Sequence, residues 1–154
     1  GNKSWKASKG EDRYRRSVYT FIKRTAPFAG FMTFDGTSGE NCLAKRDRSN
    51  TPLQALTLLN DEMFLELARA AGNEVHLQKK DPVPTLFRRF LTRPPSAEER
   101  EALQAYLDQQ IERLSRGELK PSEIAADKKA NPELAGKVLL ARAIMNLDEA
   151  ITKP

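Results

Sequence analysis

Four charged residues of one loop have types that could do chemistry: Asp35, Glu40, Arg46 and Arg48. Asp35 and Glu40 are the candidate catalytic carboxylates, since a pair at suitable separation can act on a glycosidic bond. Arg46 and Arg48 are the candidate clamp for an anionic substrate, with Thr51 beside them at the start of a helix. Sequence spacing does not fix the distance between the carboxylates. Loop carboxylates near arginines are also more often structural ion pairs than sites. Cys42 and His76 are the only cysteine and histidine. A cysteine nucleophile needs a basic partner and a third orienting group. No such group stands at a motif spacing, so both residues read as structural. No metal site is indicated.

The element that must position these residues begins at Asn50. Asn50 or Thr51 can cap a helix, because a short side chain can accept from a free backbone N–H of the first turn. Pro52 suits the first helical position, where its missing N–H is not needed. Leu53, Leu56, Asn60, Met63, Phe64, Leu67 and Ala71 then recur every three or four residues, which predicts one buried face. Lys45, Arg46 and Arg48 precede that helix start, whose own N–H groups carry partial positive charge. Together they would attract an anion: a carboxylate of the same protein, or a ligand.

A length of 154 residues, 39% hydrophobic and 31% charged, fits one soluble globular domain that needs no metal or disulfide. No apolar run reaches the ~20 residues that span a bilayer. The net charge is +5, and it is uneven: residues 1–51 carry a net +6 and residues 52–154 a net −1. The basic third could meet an acidic partner, a polyanion or an acidic surface of a parent protein. It lacks a zinc-finger spacing, a basic zipper or a single-strand-binding signature, so nucleic acid is not the expected partner. The chain opens on Gly1 without a methionine and reads as a piece of a longer protein.

In order, residues 1–11 are expected to be a flexible segment with Trp5 its one apolar anchor. Residues 12–154 are expected to form a single helical domain. A helix is predicted from about Asp12 to Thr25, with Tyr14, Val18, Phe21 and Ile22 on one face. Residues 26–50 form a long connection rich in Phe and Gly, expected to be ordered, with a marginal strand conceivable at residues 31–34. The helix from Pro52 should run to about His76, with a possible break at Asn60–Asp61. Gly72 weakens its far end by about 1 kcal/mol relative to Ala. Asp81–Pro82 opens another helix, with Val83, Leu86, Phe87, Phe90 and Leu91 inward. Ser96 and Glu99 form a capping box for a helix running to about Arg116, and Gly117 ends it. A short helix from Pro121 to about Lys128 follows. The helix after Asn131–Pro132 is apolar nearly all round and should be the most buried. Asn146, Asp148 and Glu149 lie near its end and need partners if buried. The fold class is all-α: an irregular bundle of about five to six helices with one long ordered Phe/Gly-rich loop.

Three stretches carry a family resemblance: Arg13–Phe21, residues 23–35 with Lys23-Arg24-Thr25-Ala26-Pro27 and Met32-Thr33-Phe34-Asp35, and Asn50–Asp61. Together they resemble the planctomycete family catalogued as domain of unknown function 1553, in the C-terminal portion of its domain. Residues 146–152 also fit the end of that domain. The resemblance implies an exported, extracytoplasmic multidomain parent, commonly with a neighbouring cytochrome c domain. Haem would then belong to that neighbour, and this chain would hold no cofactor. The family brings no established catalytic residues. Its members often have proline after the Asn–Asp pair, where this chain has Glu62, which puts the helix break in question. The expected role is a helical module acting in domain packing or protein interaction, with the parent's other domains as partners. The alternative is part of an enzyme site handling an anionic carbohydrate through Asp35, Glu40, Arg46 and Arg48.

Overall fold

The computed structural model describes residues 5–6, 8–23, 25–37, 44–45 and 48–152. Among them the chain is all helical. Eight α-helices occur: α1 Ala29–Thr33, α2 Pro52–Asn60, α3 Glu62–Gln78, α4 Pro82–Leu91, α5 Ala97–Ser115, α6 Pro121–Ala125, α7 Pro132–Met145 and α8 Asp148–Ile151. Three of these are single turns, which leaves five longer helices. Two compact units divide the chain, Gly1–Ser49 and Asn50–Pro154. The domain expected from 12 to 154 spans both.

Local chemistry starts the helices of the second unit where the sequence places them. Thr51 Oγ1 accepts from Gln54 N at 3.3 Å, and Gln54 Oε1 accepts from Thr51 N at 2.9 Å. Ser96 and Glu99 form the same reciprocal box at 3.1 and 2.7 Å. Asp81 and Asn131 cap α4 and α7 just ahead of a proline. Each box satisfies two backbone or side-chain groups that a bare helix end would leave open. The break between α2 and α3 is real without a proline. Asp61 adopts extended backbone, and its carboxylate accepts from Met63 N at 2.9 Å. A capping side chain therefore does what proline was expected to do. Stops are set by left-handed residues: Thr92 (φ 65°) after α4, Ala126 (φ 53°) after α6, and Gly117 (φ 77°) two residues past α5.

α7 is the axis of the bundle. It packs most extensively on α3, then on α5, α6 and α4, with smaller contacts to α2 and α8. Eight of its residues are buried: Leu134, Ala135, Gly136, Val138, Leu140, Ala141, Ile144 and Met145. Phe87 and Leu86 of α4 are fully buried beside them. Two arginines tie the periphery to this frame by carbonyl contacts. Arg69 Nε donates to Ile124 O at 2.9 Å, holding α6, and Arg142 Nη2 donates to Leu59 O at 2.8 Å, holding the end of α2. Arg142 Nε and Asn146 Oδ1 are buried without a hydrogen-bond partner among the described residues.

The buried face of α2 and α3 differs from the predicted one. Ala71 is buried as expected, and Phe64 packs against the core. Leu53, Leu56, Met63 and Leu67, however, are 37–59% exposed, and Asn60 is exposed. The inward residues are Gln54, Ala68, Ala71, Gly72 and Val75. The reason is the closeness of α3 to α7. A Cβ at Gly72 would lie 2.8 Å from Val138 Cγ2, 2.9 Å from its backbone N and 3.0 Å from its Cα. Only the face with the small side chains can come that near, so the leucines turn outward. The break at Asp61 also resets the helical phase between Leu56 and Met63.

The first unit departs from expectation at residues 12–25. No α-helix forms there among the described residues. Gly10–Tyr14 and Ser17–Tyr19 are short 3-10 turns, and neither has a capping side chain. Valine, threonine, isoleucine and the aromatics lose side-chain freedom in a helix, which lowers the tendency of this stretch to form one unaided. Residues 31–34 form no strand; Phe31 to Thr33 belong to α1. Of the connection expected to be ordered over residues 26–50, residues 38–43, 46 and 47 lie outside the described residues; in its first part the aromatics supply the contacts. Trp5 Nε1 donates to Ala26 O at 3.0 Å, Phe28 meets Trp5 edge-on at 5.5 Å, and Phe31 meets Phe28 edge-on at 5.7 Å. Lys23 Nζ lies 4.6 Å from the Trp5 ring centre. Trp5 thus organises the Phe-rich loop from far up the chain.

Two glycines of the bundle yield a prediction. Gly72→Ala gains up to about 1 kcal/mol of helix propensity. It also drives a methyl into the α7 backbone, where overpacking costs about 1–3 kcal/mol or more. At Gly136 a Cβ would meet Ile111 Cγ1 at 2.7 Å and Leu107 Cδ1 at 3.3 Å, side-chain atoms rather than main chain. Urea unfolding should show Gly72→Ala clearly less stable than the parent and less stable than Gly136→Ala. Equal midpoints for the two variants would contradict the close α3–α7 contact.

Candidate functional site

Asp35 follows α1 with φ 53°, a left-handed conformation in which a non-glycine residue is uncommon. Its carboxylate receives Ser49 N at 2.8 Å and Ser49 Oγ at 2.8 and 2.9 Å. The group that sequence singles out for catalysis therefore closes its own loop, fourteen residues on. Arg48 is exposed next to that clasp. Glu40, Arg46 and Cys42 lie outside the described residues. Thr51 belongs to the second unit, and its hydroxyl and amide are both engaged with Gln54 in the capping box. An anion of the protein itself stands beside the α2 start: the Asp148 carboxylate accepts from Asn50 Nδ2. His76 Nδ1 lies 3.3 Å from Lys137 Nζ, across the α3–α7 contact.

The strongest charge constellation in the second unit lies elsewhere. Arg93 holds two carboxylates at once. Its Nε and Nη2 donate to Glu149 at 2.8 and 2.6 Å, and its Nη1 and Nη2 donate to Glu99 at 2.9 and 2.7 Å. The guanidinium also lies 4.9 Å from the Phe87 ring centre. Both forks match the planar geometry that arginine offers and lysine does not. Glu99 does two jobs, since it also accepts from Ser96 N. Arg93 so joins the end of α4, the start of α5 and α8. Hydrogen bonding from Arg93, and then from the Ser96 backbone, lowers the Glu99 carboxyl to about 2. Arg93 likewise lowers Glu149, against the effect of burial, and Glu99 and then Glu149 raise Arg93 above the usual arginine value.

Local spacing marks Glu99 as a capping residue alone and singles out no role for Arg93. It leaves Glu149 in want of a partner. The signal available was that unmet need; nothing in the spacing named an arginine 56 residues upstream. Among the described residues no group of three or more His, Cys, Asp or Glu could hold a metal ion. A surface depression beside the first turns of α5, lined by Pro95, Arg100, Glu101 and Asp108 among others, holds none of the predicted site residues.

The arrangement that stands out as usable surface is apolar. Leu53 and Leu56 lie one turn apart on α2, and Met63 and Leu67 lie one turn apart on α3. All four are exposed. Single exposed leucines are ordinary, whereas these four large apolar residues recur at helical spacing on consecutive helices.

The Arg93 cluster yields a pH prediction. Both glutamates bind protons less readily folded than unfolded. The stability they contribute is therefore complete above the ordinary carboxyl value of 4.5 and is lost as pH falls toward about 2. Unfolding midpoints measured across that window should fall, and Arg93→Met should flatten the decline. An unchanged slope in Arg93→Met would take the cluster out of the acid response.

No helix among the described residues is long and apolar enough to cross a membrane. No curated protein and no solved structure matches the chain. A family model does match, over residues 1–107, a range that takes in every described residue of the first unit, all of α2 to α4 and the first half of α5. On that match the chain belongs to the family described as PSD1, Protein of unknown function (DUF1553).

Proposed function

We propose that the chain is a helical module of a larger exported multidomain protein, and that it acts by packing against the parent's other domains or a protein partner. The observation that carries this reading is the outward turn of Leu53, Leu56, Met63 and Leu67, 37–59% exposed although their spacing is that of a buried face. A face built at core spacing and presented to solvent gains free energy when another surface covers it. Full burial of one such leucine is worth about 1.5–3 kcal/mol. The Arg93 clasp and the capping boxes hold the helices fixed, so docking on this face demands little further ordering. The exported, multidomain setting comes from the family resemblance.

The double variant Leu56→Glu/Leu67→Glu tests the reading. Both side chains lie outside the core, so unfolding free energy should change by no more than about 0.5 kcal/mol per site. Co-purification with the separately expressed remaining domains of the parent should drop at least tenfold, about 1.4 kcal/mol or more. Undiminished co-purification would remove this face from the interaction. Loss of the folded state would show that the leucines belong to the core after all.

A further inference from the structure

The stretch Arg13–Lys23 holds Arg13, Arg15, Arg16 and Lys23; its nearest carboxylate, Asp12, forms an exposed ion pair with Arg15 at 2.8 Å. It also holds five large apolar or aromatic residues, Tyr14, Val18, Tyr19, Phe21 and Ile22, that are 56–75% exposed. Nowhere else among the described residues do so many stand so far out within nine positions. Two of the cations lie over their own neighbours' rings, Arg13 at 5.9 Å from the Tyr14 centre and Arg15 at 6.0 Å from the Tyr19 centre. Helical spacing would put Tyr14, Val18, Phe21 and Ile22 on one face. Yet the backbone takes two separate 3-10 turns, becomes extended at Thr20 and has no regular structure at residues 21–23. The amphipathic helix encoded here is thus left unformed, and its apolar side chains stand in water.

We propose that residues 13–23 dock on an anionic lipid surface and complete that amphipathic helix there. An anionic bilayer offers both things the segment presents: negative headgroups for the cations and an acyl boundary for Val18, Phe21 and Ile22. Tyrosine rings settle at that depth, with the hydroxyl in the wet layer. A soluble polyanion would leave the three aliphatic and aromatic side chains in water. A protein groove reads its ligand at a fixed helix or strand register. A bilayer requires no register. An isolated helix this short is marginal in water, so an apolar phase is what would tip it into forming.

The test uses the full chain with vesicles of phosphatidylcholine containing 30% phosphatidylglycerol, against pure phosphatidylcholine. Cosedimentation should favour the anionic vesicles at least tenfold and weaken in 0.5 M salt, because surface charge is screened. Circular dichroism should show added helix on binding. Arg15→Gln/Arg16→Gln should reduce binding roughly 25-fold, from about fivefold per cation. Phe21→Ser/Ile22→Ser should reduce it at least tenfold and abolish the helical gain. Both variants change exposed side chains, so the thermal midpoint should stay at the parent value; a lowered midpoint would show these residues to be core and overturn the proposal. Equal binding to both vesicle types, or none to either, would also overturn it. So would polyglutamate binding as tight as the anionic vesicles with the Phe21/Ile22 variant unaffected, which would assign the segment to an acidic protein surface.

Discussion

The approach of α3 to α7 at Gly72 and Val138 governs the second unit. Two helix backbones come so close there that a single methyl group on Gly72 would meet main-chain atoms of the other. Such an approach is open only to a face of small residues, and Ala68, Ala71, Gly72 and Val75 supply it. Interiors are packed too densely for that contact to be loosened at one point without shifting the helices as bodies. With α3 fixed in this rotation, its neighbours follow. α4 brings Leu86 and Phe87 into the core beside α7, and α5 meets α7 over Gly136. The same rotation turns Met63 and Leu67 of α3 outward. The exposed face of α3 is thus a consequence of the tight one.

Polar chemistry then fixes the ends of the helices. Asp61 breaks the long rod into α2 and α3 by satisfying an amide that a continuous helix would have satisfied for itself. Arg93 gathers Glu99 and Glu149, so the turn between α4 and α5 and the terminal α8 share one guanidinium. These groups are partly exposed, and ion pairs in such positions add modestly to stability. Their larger effect is geometric, because a doubly forked arginine allows few arrangements of its partners.

The first unit is held differently. Its order comes from Trp5, Phe28 and Phe31 stacking edge to face, and from Asp35 gripping Ser49. Aromatic contacts and a loop-closing carboxylate replace the helix-on-helix core of the second unit. That economy of burial leaves Tyr14, Val18, Phe21 and Ile22 in solvent.

The sequence by itself determined where the helices of the second unit begin, because caps are local. Thr51–Pro52, Asp81–Pro82, Ser96–Glu99 and Asn131–Pro132 each act within four residues, and each works as its spacing predicts. It also determined the all-helical class and the dominance of α7, since an element apolar on every side has nowhere to go but the centre. Rotation about a helix axis is not local. Periodicity marked Leu53, Leu56, Met63 and Leu67 as inward, but which face turns in depends on how near the partner helix comes. Gly72, which looked like a weakness, decided that. The candidate site divides the same way. Asp35 stood out as a loop carboxylate, yet only the fold joined it to Ser49, and only the fold brought Glu149 to Arg93. Contacts across many residues depend on the path of the whole chain, and side-chain chemistry alone does not specify that path.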